Sequence, residues 1–193
     1  MSTEQEIIIR VENLTVAYDE TVIIDNISFD VHKGEVFVIL GGSGCGKSTL
    51  LKQMIGLYAP ASGRILIGGD DIVSAEGSDR LRILRKIGVM YQSGALFGSM
   101  TLFENVRLPL EEFTNLNSSA MDLIVLMKLK QVGLKGFENH MPSELSGGMQ
   151  KRAAIARAMV LDPQILFLDE PSAGLDPITS AELDQLIISL ARN

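Results

Sequence analysis

The chain has a single cysteine, Cys45, so no disulfide can form within it, which fits a reducing compartment. It has no surplus of basic charge: 24 acidic residues oppose 17 Lys and Arg, for a net charge of -7. A broad basic footprint for nucleic acid is thereby excluded. Local clusters such as "RLRILRKIG" and "KRAAIAR" read as solvated helix faces. No apolar run approaches the roughly 18–20 residues that span a bilayer, and "MDLIVLMKLK" is both short and charged. The opening "MSTEQEIIIRVENL" lacks the basic n-region and long apolar h-region of a signal peptide. If a membrane is involved, another chain supplies the spanning part. Internal repeats and low-complexity tracts are absent as well.

What is present suits a globular fold. At 46% hydrophobic and 21% charged, the 193 residues can fill the core of one domain with room for an inserted lobe. The first third reads as strands: "EIIIRV", "LTVAY", "TVIIDNISFDV" and "EVFVIL" are rich in β-branched residues, with turn formers between them. "EVFVIL" is nearly all apolar, which predicts a strand buried on both faces of a parallel sheet. "STLLKQMIGLY" reads as a helix, "GRILIGGDDI" as a short strand and turn, "SDRLRILRKIG" as a basic amphipathic helix and "GVMYQ" as a short strand. Over residues 93–148 the segments "TLFENVRLPL" and "SAMDLIVLMKLKQVGL" look helical and no strand is evident. A helix over 150–161 leads to "QILFLDE", a second all-apolar strand, and "ITSAELDQLIISLAR" is a helix with Pro177 at its first turn. Strand–helix alternation interrupted by a helical insert predicts an α/β core, residues 1–92 and 151–193, with a helical subdomain over 93–150.

"GGSGCGKST" matches G-x-x-x-x-G-K-[ST] through Gly41, Gly46, Lys47 and Ser48. A strand precedes it and a helix follows. Glycines let backbone N–H groups turn toward phosphate oxygens, because no Cβ blocks the left-handed conformation. The helix start adds its unpaired N–H groups and the positive end of its dipole. The loop as a whole, Gly41, Gly42, Ser43, Gly44, Cys45, Gly46, Lys47, Ser48 and Thr49, is thus assigned to a nucleotide's phosphates. Lys47 supplies a charge to the β/γ-phosphates and Ser48 a hydroxyl to Mg²⁺. Cys45 reads as a small tolerated side chain rather than a redox group.

Two further features gain meaning beside that loop. "ILFLDEP" places Asp169 and Glu170 at the C-terminal end of a strand, where ligands sit in open α/β sheets. Asp169 can hold Mg²⁺ and Glu170 can polarise water, although a solvated acidic turn reads equally well in isolation. "ELSGGMQKRAAIARAMVLDP" opens with Ser146, a good N-cap, and with Gly147 and Gly148, which leave first-turn N–H groups open. By itself this is an ordinary capped helix. As a second anion site it makes sense if two copies lie head to tail, each facing its serine–glycine helix toward the other's phosphate loop, with ATP enclosed between them.

The ordered set "GGSGCGKST", Gln92, "LSGGMQ", "ILFLDE" and "SAGLD" resembles the ATP-binding-cassette (ABC) ATPases over nearly the whole chain. The resemblance implies a P-loop NTPase core of ABC type, with an N-terminal antiparallel β-subdomain and an inserted helical subdomain. It implies ATP and Mg²⁺ as cofactors, with Ser48, Gln92 and Asp169 on the metal and Lys47, Gln92 and Glu170 in catalysis. It implies a head-to-tail homodimer in which Ser146, Gly147 and Gly148 meet the partner's γ-phosphate and Asp176 lies at the seam. Tyr18 stands where the family stacks an aromatic on adenine. Gln92 also links the site to a helical lobe that docks on an integral-membrane permease, which puts the chain in the cytoplasm, peripheral on the inner membrane's cytoplasmic face.

Within the family, "YQSGALFGSMTLFENVRLPL", "LMKLKQVGL" and "HMPSELSGGM" resemble the bacterial Mla/Mce-associated ATPases. These energise the movement of phospholipid or other hydrophobic lipid between membranes and work with a lipid-binding Mce-type subunit. Met149, where many transport ATPases have Gln, is typical of that group. Cassette ATPases acting on ribosomes or DNA repair usually carry two cassettes or long coiled-coil inserts, and this chain has neither. One departure stands out. The family has a switch histidine on the strand after the "SAGLD" helix, but His32 and His140 both precede "FLDE". The chain ends at Asn193, where that strand should begin. The expectation is therefore a chain lacking the last core strands, with an apolar sheet edge exposed beside the phosphate-loop strand. Alone it would be a weak ATPase or a nucleotide-binding fragment without turnover.

Overall fold

A computed structural model describes residues 6–18, 21–42 and 44–192. They divide into two compact units, one running to Ile87 and the other from Gly88 to Ala191.

The first unit carries a four-stranded antiparallel sheet in the order β2-β1-β3-β4. Its strands are β1 (Ile7–Tyr18), β2 (Thr21–His32), β3 (Ser62–Ile67) and β4 (Asp70–Asp71). Two helices accompany it, α1 (Lys47–Met54) and α2 (Gly77–Leu84). Ile9, Val11, Leu14 and Val16 of β1 are buried, as are Ile65 and Ile67 of β3 and Ile72. The burial skips from Val11 to Leu14 because Asn13, at φ 48°, forms a bulge that shifts the register. "EIIIRV" and "LTVAY" are therefore one bulged strand and not two. Gly63 on β3 faces the bulge: a Cβ there would lie 2.5 Å from Asn13 O and 2.6 Å from Leu14 Cα. Only glycine fits, and its φ of 95° suits no other residue.

The apolar segment "EVFVIL" departs from expectation. It joins neither sheet among the described residues, and its side chains are exposed, Val38 at 63% and Leu40 at 86%. A continuous β-branched run becomes a buried strand only when neighbouring strands satisfy its backbone and cover both faces. No described strand does so here. Phe37 instead stacks on Phe29 of β2, with ring centroids 5.2 Å apart.

The second unit is mostly helical. Its elements are β5 (Ile87–Met90), α3 (Leu102–Phe113), α4 (Ser118–Gln131), a 3₁₀ turn (Pro142–Glu144), α5 (Gly147–Met159), β6 (Ile165–Leu168) and α6 (Pro177–Ala191). β5 and β6 pair in a second sheet. Gly88 permits close packing of β5, since a Cβ there would lie 2.1 Å from Ala158 O. α3 begins with a capping box: Glu104 N–H donates to Thr101 Oγ1 at 3.2 Å and Thr101 N–H to Glu104 Oε2 at 2.7 Å. α4 is capped by Asn117, whose Oδ1 accepts from Ala120 N–H at 2.9 Å. Leu102, Val106, Val125, Leu129, Ile155 and Leu183 fill a core between the helices and are at most 1% exposed. Burying each such side chain contributes about 1.5–3 kcal/mol.

Polar residues are buried in this unit as well, Lys128 of α4, Lys151 of α5 and, most deeply, Asn105. Asn105 of α3 is fully buried. Its Nδ2 donates to Phe97 O, Met100 O and Thr101 O at 3.0–3.1 Å, and its Oδ1 accepts from Phe97 N–H at 2.8 Å. A buried amide is tolerated because it is saturated. Its work is to hold the loop that follows Gln92.

Candidate active site

In the first unit, the phosphate loop runs into α1 through Gly46, whose φ of 98° turns the chain into the helix. A Cβ on Gly41 would lie 2.4 Å from Cys45 Sγ, so a side chain there would require the exposed thiol to turn away. Lys47 Nζ donates to Gly41 O at 2.9 Å and Gly42 O at 3.0 Å. The ammonium therefore lies within the curve of its own loop. Ser48 stands exposed on the first turn of α1, with Thr49 beside it and Leu50 buried beneath. Cys45 is exposed and unpaired by disulfide. Ser43 and the side chain of Tyr18 lie outside the described residues; the Tyr18 backbone pairs with Thr21 at the end of β1.

In the second unit, the structure brings Gln92 and Glu170 together. Gln92 Nε2 donates to Glu170 Oε2 at 2.9 Å, across 78 positions of sequence. Pairing of β5 with β6 sets this up, since Asp169 N–H donates to Met90 O at 2.9 Å, one residue before Glu170 and two before Gln92. Glu170 adopts a left-handed φ of 43°, which turns the chain sharply at the strand end. Asp169 is half-buried and Glu170 exposed.

Lys151 is a site residue that no motif marks. This α5 residue is 8% exposed and donates from Nζ to Gln92 O. Burial pushes its pKa down, while the charges of Asp169 and Glu170 pull it up. A signal was available: a lysine three residues after Gly148 and four before Ile155 falls on the buried face of the helix.

Ser146 caps α5 as expected, accepting at Oγ from Met149 N–H at 3.3 Å. Gly148 has a use beyond leaving N–H groups open. A Cβ there would lie 2.4 Å from Thr179 Cγ2, so the glycine lets α6 pack against the helix start. Asp176 holds Thr179 in place, accepting from its hydroxyl at 2.5 Å and its N–H at 3.1 Å. The Thr179 hydrogen bonds hold the Asp176 carboxyl below the usual carboxylate range. Met149 is half-buried and packs on the helical core, a physical role that sequence spacing did not supply. The histidines lie elsewhere: His32 ends β2, 3.4 Å from Glu35 Oε2, and His140 packs against Phe137.

The ABC transporter family model matches residues 24–173. The "probable ribonucleotide transport ATP-binding protein mkl" of Mycobacterium leprae is 48% identical over 182 residues, covering 94% of this chain and 52% of that protein. The "intermembrane phospholipid transport system ATP-binding protein MlaF" of Haemophilus influenzae is 45% identical over 180 residues, covering 93% and 68%. The chain thus spans about half the length of the mycobacterial relatives it matches. Among solved structures, the dimeric post-hydrolysis ATP-binding cassette MJ0796 with ADP and Pi superposes with a TM-score of 0.84 at 32% identity, covering 95% of this chain and 82% of that one.

Proposed function

The chain belongs to the ABC transporter family, and from that premise we propose that it binds and hydrolyses ATP to drive movement of phospholipid or another hydrophobic lipid between membranes. The observation that carries the ATPase reading is the 2.9 Å hydrogen bond from Gln92 to Glu170, immediately after Asp169. It gives the carboxylate an orienting partner, as a group that must aim a water molecule requires.

In this reading the loop N–H groups and Lys47 bind the β/γ-phosphates, and Glu170 orients and deprotonates the attacking water. Ser146, Gly147 and Gly148 present the α5 start to the nucleotide of a second copy, in a head-to-tail dimer. The donors assigned to Mg²⁺ suit a hard cation: a hydroxyl at Ser48, an amide oxygen at Gln92 and a carboxylate at Asp169. No three His, Cys, Asp or Glu side chains gather as a metal cage among the described residues. That fits a cation held by few protein ligands together with phosphates. When bound, Mg²⁺ neutralises charge on the phosphates. Tyr18 stacks on adenine.

The lipid assignment rests on the similarity to the MlaF proteins and on the motifs around Met149. The name of the mycobacterial relatives favours a second cargo, ribonucleotide. No helix among the described residues is long and apolar enough to cross a membrane, so we assign the spanning step to a permease, with an Mce-type lipid-binding subunit as a further partner. The protein then sits in the cytoplasm, against the inner membrane's cytoplasmic face. Purification from membranes should recover it with an integral-membrane subunit and bound phospholipid. Recovery of the complex with nucleotide cargo and no lipid would replace lipid with ribonucleotide.

A further inference from the structure

The loop that carries Gln92 is held by α5 at successive points. Lys151, one turn into the helix, donates to Gln92 O. Nearly two turns further on, Arg157 donates to Gly94 O at 3.0 Å and Ala95 O at 2.9 Å. Its guanidinium also lies 5.8 Å from the Phe97 ring centroid. Between them Gly94 rides close on the helix, since a Cβ there would lie 3.4 Å from Ala154 Cβ. The far end of the loop is tied to Asn105. Gln92 is thus grasped at its backbone by α5 while its side chain reaches Glu170 at 2.9 Å.

A lysine at this position is costly. It displaces an apolar side chain from a buried helix face, and burial of a charge opposes folding unless it is hydrogen-bonded. A methionine would fill the same space without that cost. What the lysine supplies, and a methionine cannot, is a donor directed at one carbonyl, that of Gln92.

We propose that Lys151 is a positioning residue that ties Gln92 to α5, so that displacement of the helix start at Ser146 is transmitted to the Gln92–Glu170 pair. The inference rests on the functional reading above. There, Ser146 meets the nucleotide of a second copy, whereas Gln92 and Glu170 serve the chain's own. Lys151 then couples the two sites of the dimer: ATP gripped at one α5 sets the aim of the general base in the other site. Coupling needs a physical element shared by both sites, and here that element is a single rigid helix.

Two readouts test it. The Gly94 N–H donates to Tyr91 O at 2.7 Å within the same turn, and the Phe97 N–H donates to Asn105. In Lys151→Met, amide exchange followed by NMR should speed up at Gly94 by about tenfold or more, while Phe97 and the α3 and α4 amides stay as in wild type. Lys151→Arg should restore Gly94 protection. Unchanged exchange at Gly94 would overturn the tie. In MgATP turnover, Lys151→Met should lower kcat by about tenfold with KM nearly unchanged, and bring the Hill coefficient toward one. Lys151→Arg should recover both. An unchanged Hill coefficient would overturn the coupling. If Lys151→Met does not fold, Lys151→Gln, whose amide is one bond shorter than the ammonium, replaces it and should likewise speed exchange at Gly94; exchange as slow as in wild type would overturn the account. Absence of turnover in the wild-type protein would favour the nucleotide-binding chain without turnover over the ATPase, while the exchange measurement would still judge the tie.

Discussion

Glu170→Gln is expected to bind MgATP and to hydrolyse it about 10²–10⁴-fold more slowly than wild type, the usual contribution of a positioned acid–base group. The substitution keeps the side-chain shape and an oxygen that accepts from Gln92 Nε2. It removes the negative charge and the capacity to take a proton from water. Steady-state phosphate release, with nucleotide binding measured separately, checks this. The ATP-bound dimer should accumulate in the variant, because its dissolution awaits the slowed step. Turnover at the wild-type rate would remove Glu170 from the base role and leave the Gln92 hydrogen bond a structural contact at a strand end.

Lys47→Ala is expected to weaken ATP binding by roughly 10–150-fold, from the loss of charge-assisted hydrogen bonds that contribute about 1.5–3 kcal/mol. Two effects combine. The β/γ-phosphates lose a cation, and the loop loses the ammonium that ties Gly41 O and Gly42 O. Titration with ATP at fixed Mg²⁺ measures the change. An affinity equal to wild type would place the nucleotide's phosphates somewhere other than this loop.

The parts of the site that sequence made legible are those with local causes. Gly46 turns into α1 with a positive φ, Ser146 caps α5 from three residues away, and Asp169 and Glu170 follow directly on an apolar strand. Each depends on neighbours within a few positions, so pattern and spacing carry it. The position of Lys151 on the buried face of α5 is legible, but what Lys151, Arg157 and Asn105 bind is not, because their partners are backbone groups of the 92–101 loop and a carbonyl leaves no trace in sequence. For Lys151 and Arg157 those partners are about 60 positions away. The sequence around Gly148 implies open N–H groups, whereas its packing on Thr179 appears only once α6 is in place.

The fold shows the same division. β1 was legible as β-structure, but its bulge at Asn13 made one strand look like two. The composition of "EVFVIL" predicts a buried strand, yet burial depends on what lies alongside, which composition cannot report. α4 is apolar around most of its circumference, with Leu123 and Met127 each 63% exposed and Val125 and Leu129 fully buried. Periodicity alone therefore gives no clear inward face for it, and the contacts of Val125 and Leu129 with the helical core define one.

The central claim is that each ATP is served by two chains, the phosphate loop of one and the Ser146 helix of the other. Mixing Lys47→Ala protein with Ser146→Arg protein tests it most directly. Each variant alone spoils both sites of its homodimer and should be nearly inactive. In an equal mixture about half the dimers are mixed, and each of those keeps one intact site, so turnover should rise clearly above that of either variant, toward a ceiling of roughly a quarter of wild type that coupling between the sites lowers. Turnover no higher than the average of the two separate variants would contradict the account.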